Sequence, residues 1–295
     1  MSLTVLVAGA TGRFRPIVPM LVQRGHRVRA GTRDPGSAAA LELAALGAEP
    51  TVCDFDDLST IEDAARGADA VFATGTAHRV GPDGEVRHGN NLVEAVNAAV
   101  IGHVVYTSGA GADRHTGVGV FERKWQVEER LTDRRLPTTI LAPVFLMENV
   151  FNPWNLPALA AGVFPSPTSP TRAIQQIPIA DIATFAVYAL EHRGDLVGQR
   201  IELASDSLDA IEEARVISSV SGRRLEVREA TPAGALRGLF EWLERVGFSV
   251  DIAALRRDFP TVPWHSFSDW AVEQDWTTLD PPVHVGDPTG CSTRQ

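Results

Sequence analysis

A single lysine, Lys124, stands among 26 arginines in this chain of 295 residues. Arginine stays protonated in a folded protein, whereas an ammonium is a compact charge whose pKa responds to its surroundings. A lone lysine therefore points toward chemistry as well as toward a solvated helix charge. It falls within Phe121-Glu122-Arg123-Lys124, followed by Val127 and Glu128. On a helix, residues three and four apart share a face, so the ammonium is aimed where Phe121 and Val127 are aimed. If burial lowers its pKa, Lys124 can act as a general acid. Ser108, directly after the apolar run that ends in Tyr106-Thr107, offers a second polar group for the same centre. Its competing reading is a turn serine before Gly109-Ala110-Gly111. His115 is a third acid/base candidate, set against the ordinary reading of a loop histidine as a surface residue.

The segment Gly9-Ala10-Thr11-Gly12-Arg13-Phe14-Arg15 follows an apolar run and precedes a helical pattern. Glycines in such a loop let the backbone approach a phosphate, and the next helix presents N–H donors and the positive end of its dipole. By spacing it is a dinucleotide-phosphate loop, provided that it joins a strand to a helix within a βαβ unit.

The elements that must position these groups follow from alternating apolar runs and helical patterns. Strands are expected at Thr4–Ala8, Arg27–Gly31, Glu49–Cys53, Ala70–Thr74, His103–Thr107 and Thr138–Ala142. Helices are expected near 16–24, 37–46, 58–66, 87–99 and 119–134, with Asp57 or Ser59 capping the third. The alternation predicts an α/β fold, a doubly wound parallel sheet whose ligand crevice lies at the carboxyl ends of the strands. His78 and His115 then fall on crevice-side loops, and His88 and His103 read as structural or exposed.

Composition removes other classes. The net charge of -10 is spread along the chain with arginines interspersed, which argues against a nucleic-acid ligand. Cys53 and Cys291 are far apart with no CxxC or Cys/His cluster, and no two histidines have ligand spacing, so neither disulfide nor metal is expected. Leu3 to Ala10 is too short for a membrane span and lacks a basic leader. The expectation is a cytoplasmic protein that acts on a small molecule, as a monomer or homodimer.

Several segments together resemble NmrA-like proteins, atypical members of the short-chain dehydrogenase/reductase superfamily. They are Val7-Ala8-Gly9-Ala10-Thr11-Gly12, Gly25-His26-Arg27 through Thr32-Arg33-Asp34-Pro35, Asp54-Phe55-Asp56-Asp57, Tyr106-Thr107-Ser108, Phe121 to Lys124 with Glu128, and Pro143 with Phe145-Leu146-Met147-Glu148-Asn149. The resemblance covers most of the chain to about residue 220 and implies a Rossmann-like domain that binds NADP(H). Gly9, Thr11, Gly12, Arg13 and Phe14 would form its phosphate loop, and Arg33 would grip the 2′-phosphate. Asp54 would lie near the adenine. Thr74, Pro143 and Lys124 complete the implied cofactor site, where Lys124 could hydrogen-bond a nicotinamide ribose.

The chain departs from the pattern twice. The third loop glycine is missing, with Arg15 in its place, and the next helix carries Pro16 and Pro19. Proline is tolerated in a first helical turn but costs ~3 kcal/mol deeper in a helix, so the helix is expected to start late. Arg15 either supplies charge to a phosphate or fills the site and bars it. In addition, the residue four before Lys124 is Val120, where hydride-transferring relatives usually have a tyrosine acid; the two tyrosines, Tyr106 and Tyr188, lack that spacing to a lysine.

The composition changes after about Phe145, giving a dinucleotide-binding domain over 1–145, a smaller α/β cap over 146–280 that interleaves with it, and a poorly ordered tail over 281–295. Asn149, Trp154, Phe164 and His78 are candidates for a substrate pocket suited to an apolar or aromatic ring, although the aromatics could equally pack the cap. Cap helices are expected near 180–192, 208–220, 232–246 and 266–274, with a strand at Arg200–Ala204. Asp181 is read as a cap or anchor. The amphipathic stretch Leu236 to Arg245 reads as core, or as a partner-binding face if the protein is regulatory. Three functions remain open: an NADPH-dependent reductase using Lys124 and Ser108, a non-redox isomerase, cyclase or lyase that has abandoned the dinucleotide, and an NADP-sensing regulator.

Overall fold

The computed structural model describes residues 2–75, 77–232 and 234–279; of residues 77–80, 82, 83 and 235 the backbone alone is described. The tail at 281–295 and Cys291 lie outside the described residues. The first part of the chain runs β1 (Thr4–Ala8), α1 (Ile17–Gln23), β2 (Arg27–Thr32), α2 (Ala38–Ala45), β3 (Glu49–Val52), α3 (Leu58–Ala65), β4 (Ala70–Thr74), α4 (Ala77–Ala98), β5 (His103–Thr107), α5 (Gly119–Asp133) and β6 (Thr138–Pro143). It continues with β7 (Phe145–Leu146), α6 (Leu156–Ala160), β8 (Val163–Ser166), β9 (Ile174–Ile177), α7 (Ile179–Glu191), α8 (Arg193–Leu196), β10 (Arg200–Leu203), β11 (Asp206–Leu208), α9 (Ala210–Ser221), β12 (Glu226–Glu229), α10 (Arg237–Arg245), α11 (Ile252–Asp258) and α12 (Phe267–Val272).

Seven strands form one parallel sheet in the order β10-β6-β5-β4-β1-β2-β3. Strand direction of growth reverses between β1 and β4, which is where a doubly wound sheet opens its ligand crevice. Side chains alternate across each strand, so Val5 and Val7 join Ile17, Ile182 and Phe185 under α1 and α7, while Leu6 and Ala8 join Ile61, Val93 and Val127 under α3 to α5. Burial on both faces is why these strands read as continuous apolar runs. Asp57 caps α3 by accepting the Ser59 amide.

Between β1 and α1 the chain turns tightly: Gly9 has φ +78°, the Gly12 amide bonds Gly9 O at 2.9 Å, and the Arg15 amide bonds Gly12 O at 3.1 Å. A Cβ on Gly12 would stand 3.1 Å from Gly9 O. Pro16 is the N-cap and Pro19 lies in the first turn, so α1 starts late, as its prolines require.

Two expectations are corrected. The strand at 200–203 belongs to the main sheet and not to the cap, because Arg200 pairs with Ile140 and Leu203 with Pro143. The fourth helix begins at Ala77 and is broken at Gly81, whose φ of 71° and ψ of -174° no helix accommodates. His78 therefore lies in the first turn of α4 instead of on a loop, and its side chain is outside the described residues. The cap also holds short strands that periodicity did not reveal, in a three-stranded sheet β11-β9-β7 and a pair β12-β8. There Met147, Leu159, Phe164, Ile217 and Phe267 form a separate core. No helix among the described residues is long and apolar enough to cross a membrane.

Candidate functional site

A cavity of about 1410 Å³ runs along the carboxyl ends of the strands and continues beneath the cap. At one end lie Gly9, Thr11, Gly12, Arg13 and Phe14, with Arg33 after β2 and Asp54 after β3. Thr74, Ser108, Lys124 and Pro143 line its middle, and Asn149, Trp154 and Phe164 its cap side. His115 does not line it: its backbone is left-handed at φ 48° and its ring stands edge-on to Trp125, 5.5 Å between centroids. A second depression of about 440 Å³, along the outer side of α5 by Trp125 and Arg130, contains none of the candidate residues.

Lys124 is mostly buried, and its Nζ lies 3.4 Å from Glu85 Oε1 on α4. Arg123 Nε donates to the other oxygen of Glu85 at 3.2 Å. Two glycines make room for this pair. A Cβ on Gly75 would fall 2.6 Å from Glu85 Oε1 and 3.1 Å from Lys124 Nζ, and one on Gly109 would fall 3.1 Å from Lys124 Cδ. Ser108 is buried and donates its hydroxyl hydrogen to Glu128 Oε1. Arg200 Nε bonds Glu128 Oε2 at 2.9 Å, and its Nη2 bonds Gly109 O at 2.9 Å. Burial raises the Glu128 pKa, and Arg200 and Ser108 oppose that rise. The Ser108 oxygen keeps its acceptor lone pairs for the cavity while its hydrogen is committed behind it.

Arg33 is exposed and forms no hydrogen bond or ion pair with the described residues; the neighbouring Asp34 carboxylate accepts the Gly36 amide instead. Arg15 pairs with Glu42 on α2 and is not part of the cavity wall, so it does not fill the loop. Arg13 reaches across to the cap, with Nη1 3.5 Å from Asn149 Oδ1 and Nη2 3.3 Å from Asn152 Oδ1. Burial lowers its pKa and Glu148 raises it. Phe14 meets Phe72 edge-on at 5.6 Å and is part of the core as well as the wall.

Of the two alternatives read for His88, structural or exposed, the structure keeps the first. It is buried in the cavity wall, stacked on Phe55 at 5.6 Å, with Nε2 2.9 Å from Asp56 Oδ1. His103 is interior and hydrogen-bonds Thr139 at 2.9 Å. Cys53 also lines the cavity, but burial pushes its thiol up to about 12, so it offers no thiolate. Tyr106 is buried in the sheet core with burial raising its pKa, and Tyr188 stacks on His192 at 3.9 Å; neither lines the cavity. No group of three metal-ligating side chains occurs among the described residues.

The α10 helix is core: Phe240, Trp242 and Leu243 are buried, and Trp242 meets Phe121 of α5 at 5.0 Å. Asp181 anchors the loop before α12 by accepting the His265 amide at 2.7 Å and facing its Nδ1 at 2.5 Å. Sequence reasoning missed Glu85, Glu213 and Gln176 as parts of the wall. None of the three sits in a spacing motif, although Glu85 could have been sought as the counter-charge a buried lysine demands.

The parallel seven-stranded sheet, its glycine turn at the switch point and the cavity there define a Rossmann-like α/β protein with a dinucleotide-type loop. The chain belongs to the NmrA-like family, whose sequence pattern matches residues 1–252. It is 22% identical to the photosystem II assembly factor Ycf39 of Trieres chinensis, over 94% of this chain and 91% of that one. It is 27% identical to an NAD(P)H azoreductase of Xenophilus azovorans, over 74% of each. Among solved structures it is similar to NmrA, a negative transcriptional regulator, in complex with NADP (TM-score 0.74, 18% identity, 92% of this chain and 95% of that one). It is also similar to an NADPH-dependent quinone oxidoreductase from Escherichia coli complexed with NADPH (TM-score 0.66, 23% identity, 93% of each).

Proposed function

We propose that this chain is an NADPH-dependent reductase of an apolar or aromatic small molecule. The observation that carries the reading is one continuous cavity that joins the glycine turn and Arg33 to Lys124 and Ser108, and these to the aromatic cap. The residues fit the dinucleotide. The turn at Gly9 and Gly12 is open to the cavity because Arg15 is paired elsewhere, and Arg33 is an uncommitted guanidinium of the kind that forks onto a phosphate. When bound, the cofactor supplies hydride.

In this reading the backbone around Thr11 and Gly12 receives the pyrophosphate and Arg33 the 2′-phosphate. Lys124, held by Glu85, fixes the nicotinamide ribose and keeps a positive charge beside the reacting centre. Ser108 presents acceptor lone pairs to the substrate because Glu128 holds its hydrogen. Phe164, buried in the wall, excludes water on the cap side. The NADP-sensing regulator is the second reading, favoured by the absence of both tyrosines from the cavity wall.

Titration with NADPH and then NADH, followed by cofactor fluorescence, tests both. NADPH binding that weakens on Arg33→Ala supports them, and a substrate screen then separates enzyme from sensor. No binding at millimolar cofactor overturns both and returns the cavity to a non-redox enzyme.

A further inference from the structure

Three buried carboxylates each have a cationic partner. Glu85 faces Arg123 and Lys124, Glu128 faces Arg200, and Asp181 faces His265. Glu213, in the first turn of α9, lines the cap half of the cavity and has no cationic partner among the described residues. Among the described residues its carboxylate accepts one hydrogen bond, from Gln176 Nε2 at 2.6 Å. Gln176 is itself 2% exposed, so this amide is a built part of the wall, fixed to hold one carboxyl oxygen.

The surroundings make the missing partner more pointed. Burial pushes the Glu213 carboxyl up to about 8, and the charges that add to the effect, Asp209 and Asp206, are both negative. Those two are occupied: Asp209 accepts the Ile211 and Glu212 amides, and Asp206 accepts those of Ser207 and Phe267. Arg172 also lines the cap half, yet its guanidinium is turned to Leu243 O at 3.0 Å and Val246 O at 2.8 Å. The rest of that wall is largely apolar and aromatic, with Phe145, Phe164, Phe240 and Phe248. An aromatic wall attracts a cation through its ring faces, and a desolvated carboxylate attracts it more strongly.

We propose that Glu213 is the counter-ion for a positively charged substrate, and that the cap half of the cavity takes an aromatic cation whose charge lies against the Glu213 carboxylate. This rests on the reductase reading for the other half of the cavity. It also fits Val120 standing where a tyrosine acid would be. An acceptor that is already cationic receives the hydride as a new C–H bond, its charge is cancelled by that electron pair, and no proton is taken up.

The test uses the full chain without cofactor and two fluorescent probes of one shape, 10-methylacridinium, a permanent cation, and acridine, its uncharged counterpart. At pH 9, where the Glu213 carboxyl is ionised, wild type is expected to bind the cation at least about tenfold more tightly, the size of effect a desolvated charge pair supports. Glu213→Gln, which keeps the shape and removes the charge, should weaken the cation by about tenfold and acridine by less than about twofold. Equal binding of both probes by wild type, or equal weakening of both by the substitution, overturns the proposal. The wild-type comparison stands by itself if the variant fails to fold. Cofactor titration separates the two readings: loss of NADPH binding with cation preference intact overturns the reductase alone, and NADPH binding without cation preference overturns the Glu213 assignment alone.

Discussion

The only lysine of the chain, Lys124, is held 3.4 Å from Glu85 Oε1, and Glu85 is 1% exposed. Glu85 lies on α4 and Lys124 on α5, so this ion pair ties together the two helices that cover the centre of the sheet. Gly75 and Gly109 make room for it, since a Cβ on the first would crowd the ammonium and one on the second its aliphatic stem.

Lys124→Ala should lower kcat by about 10²- to 10³-fold, the range for removing one positioned electrostatic group at a reacting centre, with the fold retained because Arg123 still neutralises Glu85. Steady-state kinetics and circular dichroism check the two halves of that statement. Unchanged turnover would remove Lys124 from the mechanism.

Gly75→Ala places a methyl 2.6 Å from Glu85 Oε1. Overpacking of that kind costs about 1–3 kcal/mol, and here it must also push Glu85 away from Lys124. Urea unfolding should show the loss of stability, together with a fall in kcat close to that of Lys124→Ala.

Arg33 is exposed and unpaired among the described residues, so Arg33→Ala should leave the unfolding midpoint unchanged. The dissociation constant for NADPH should rise by about 10- to 100-fold, as expected for loss of a charge-assisted phosphate contact, with NADH little affected. A parallel weakening of both cofactors would remove the 2′-phosphate from Arg33.

Glu213 gives stability a definite pH dependence. Its pKa is raised from 4.5 to about 8, so the folded chain must hold a proton that the unfolded chain releases. Below the unfolded value both states are protonated and there is no penalty; between the two values stability falls as pH rises, and above the folded value it levels off. Glu213→Gln should therefore match wild type near pH 4.5 and exceed it at pH 8 by on the order of 1–3 kcal/mol. Denaturant titrations at both pH values check it.

The sheet was largely legible because burial on both faces writes itself into runs such as Val5–Ala8 and Val104–Tyr106. Pairing partners are not written that way. The strand at 200–203 alternates like a cap strand, and only its register with Ile140 to Pro143 puts it in the main sheet. The strands of the cap have two to four residues, too few to show a period. The glycine turn, Ser108 and Lys124 were visible from type and position and Arg33 through the family resemblance, and the fold brings them to one cavity. Glu213 was not, because beside Glu212 in a first helical turn it reads as an ordinary dipole charge, and Gln176 is 37 positions away. His115 failed to reach the cavity because the turn at Gly111 and its own left-handed backbone direct its ring outward to Trp125.

The return of β10 to the main sheet has a consequence for where the chain can be divided. The long helix that leads toward it, α7, packs on α1, β5 and β6, and so covers an apolar face that residues 1–145 alone would leave open to water. A chain cut after the sixth strand would lose α7 and leave that apolar face uncovered. The glycine turn and the far wall of the cavity thus stand on one continuously packed length of chain, which has no place to be divided at the sixth strand.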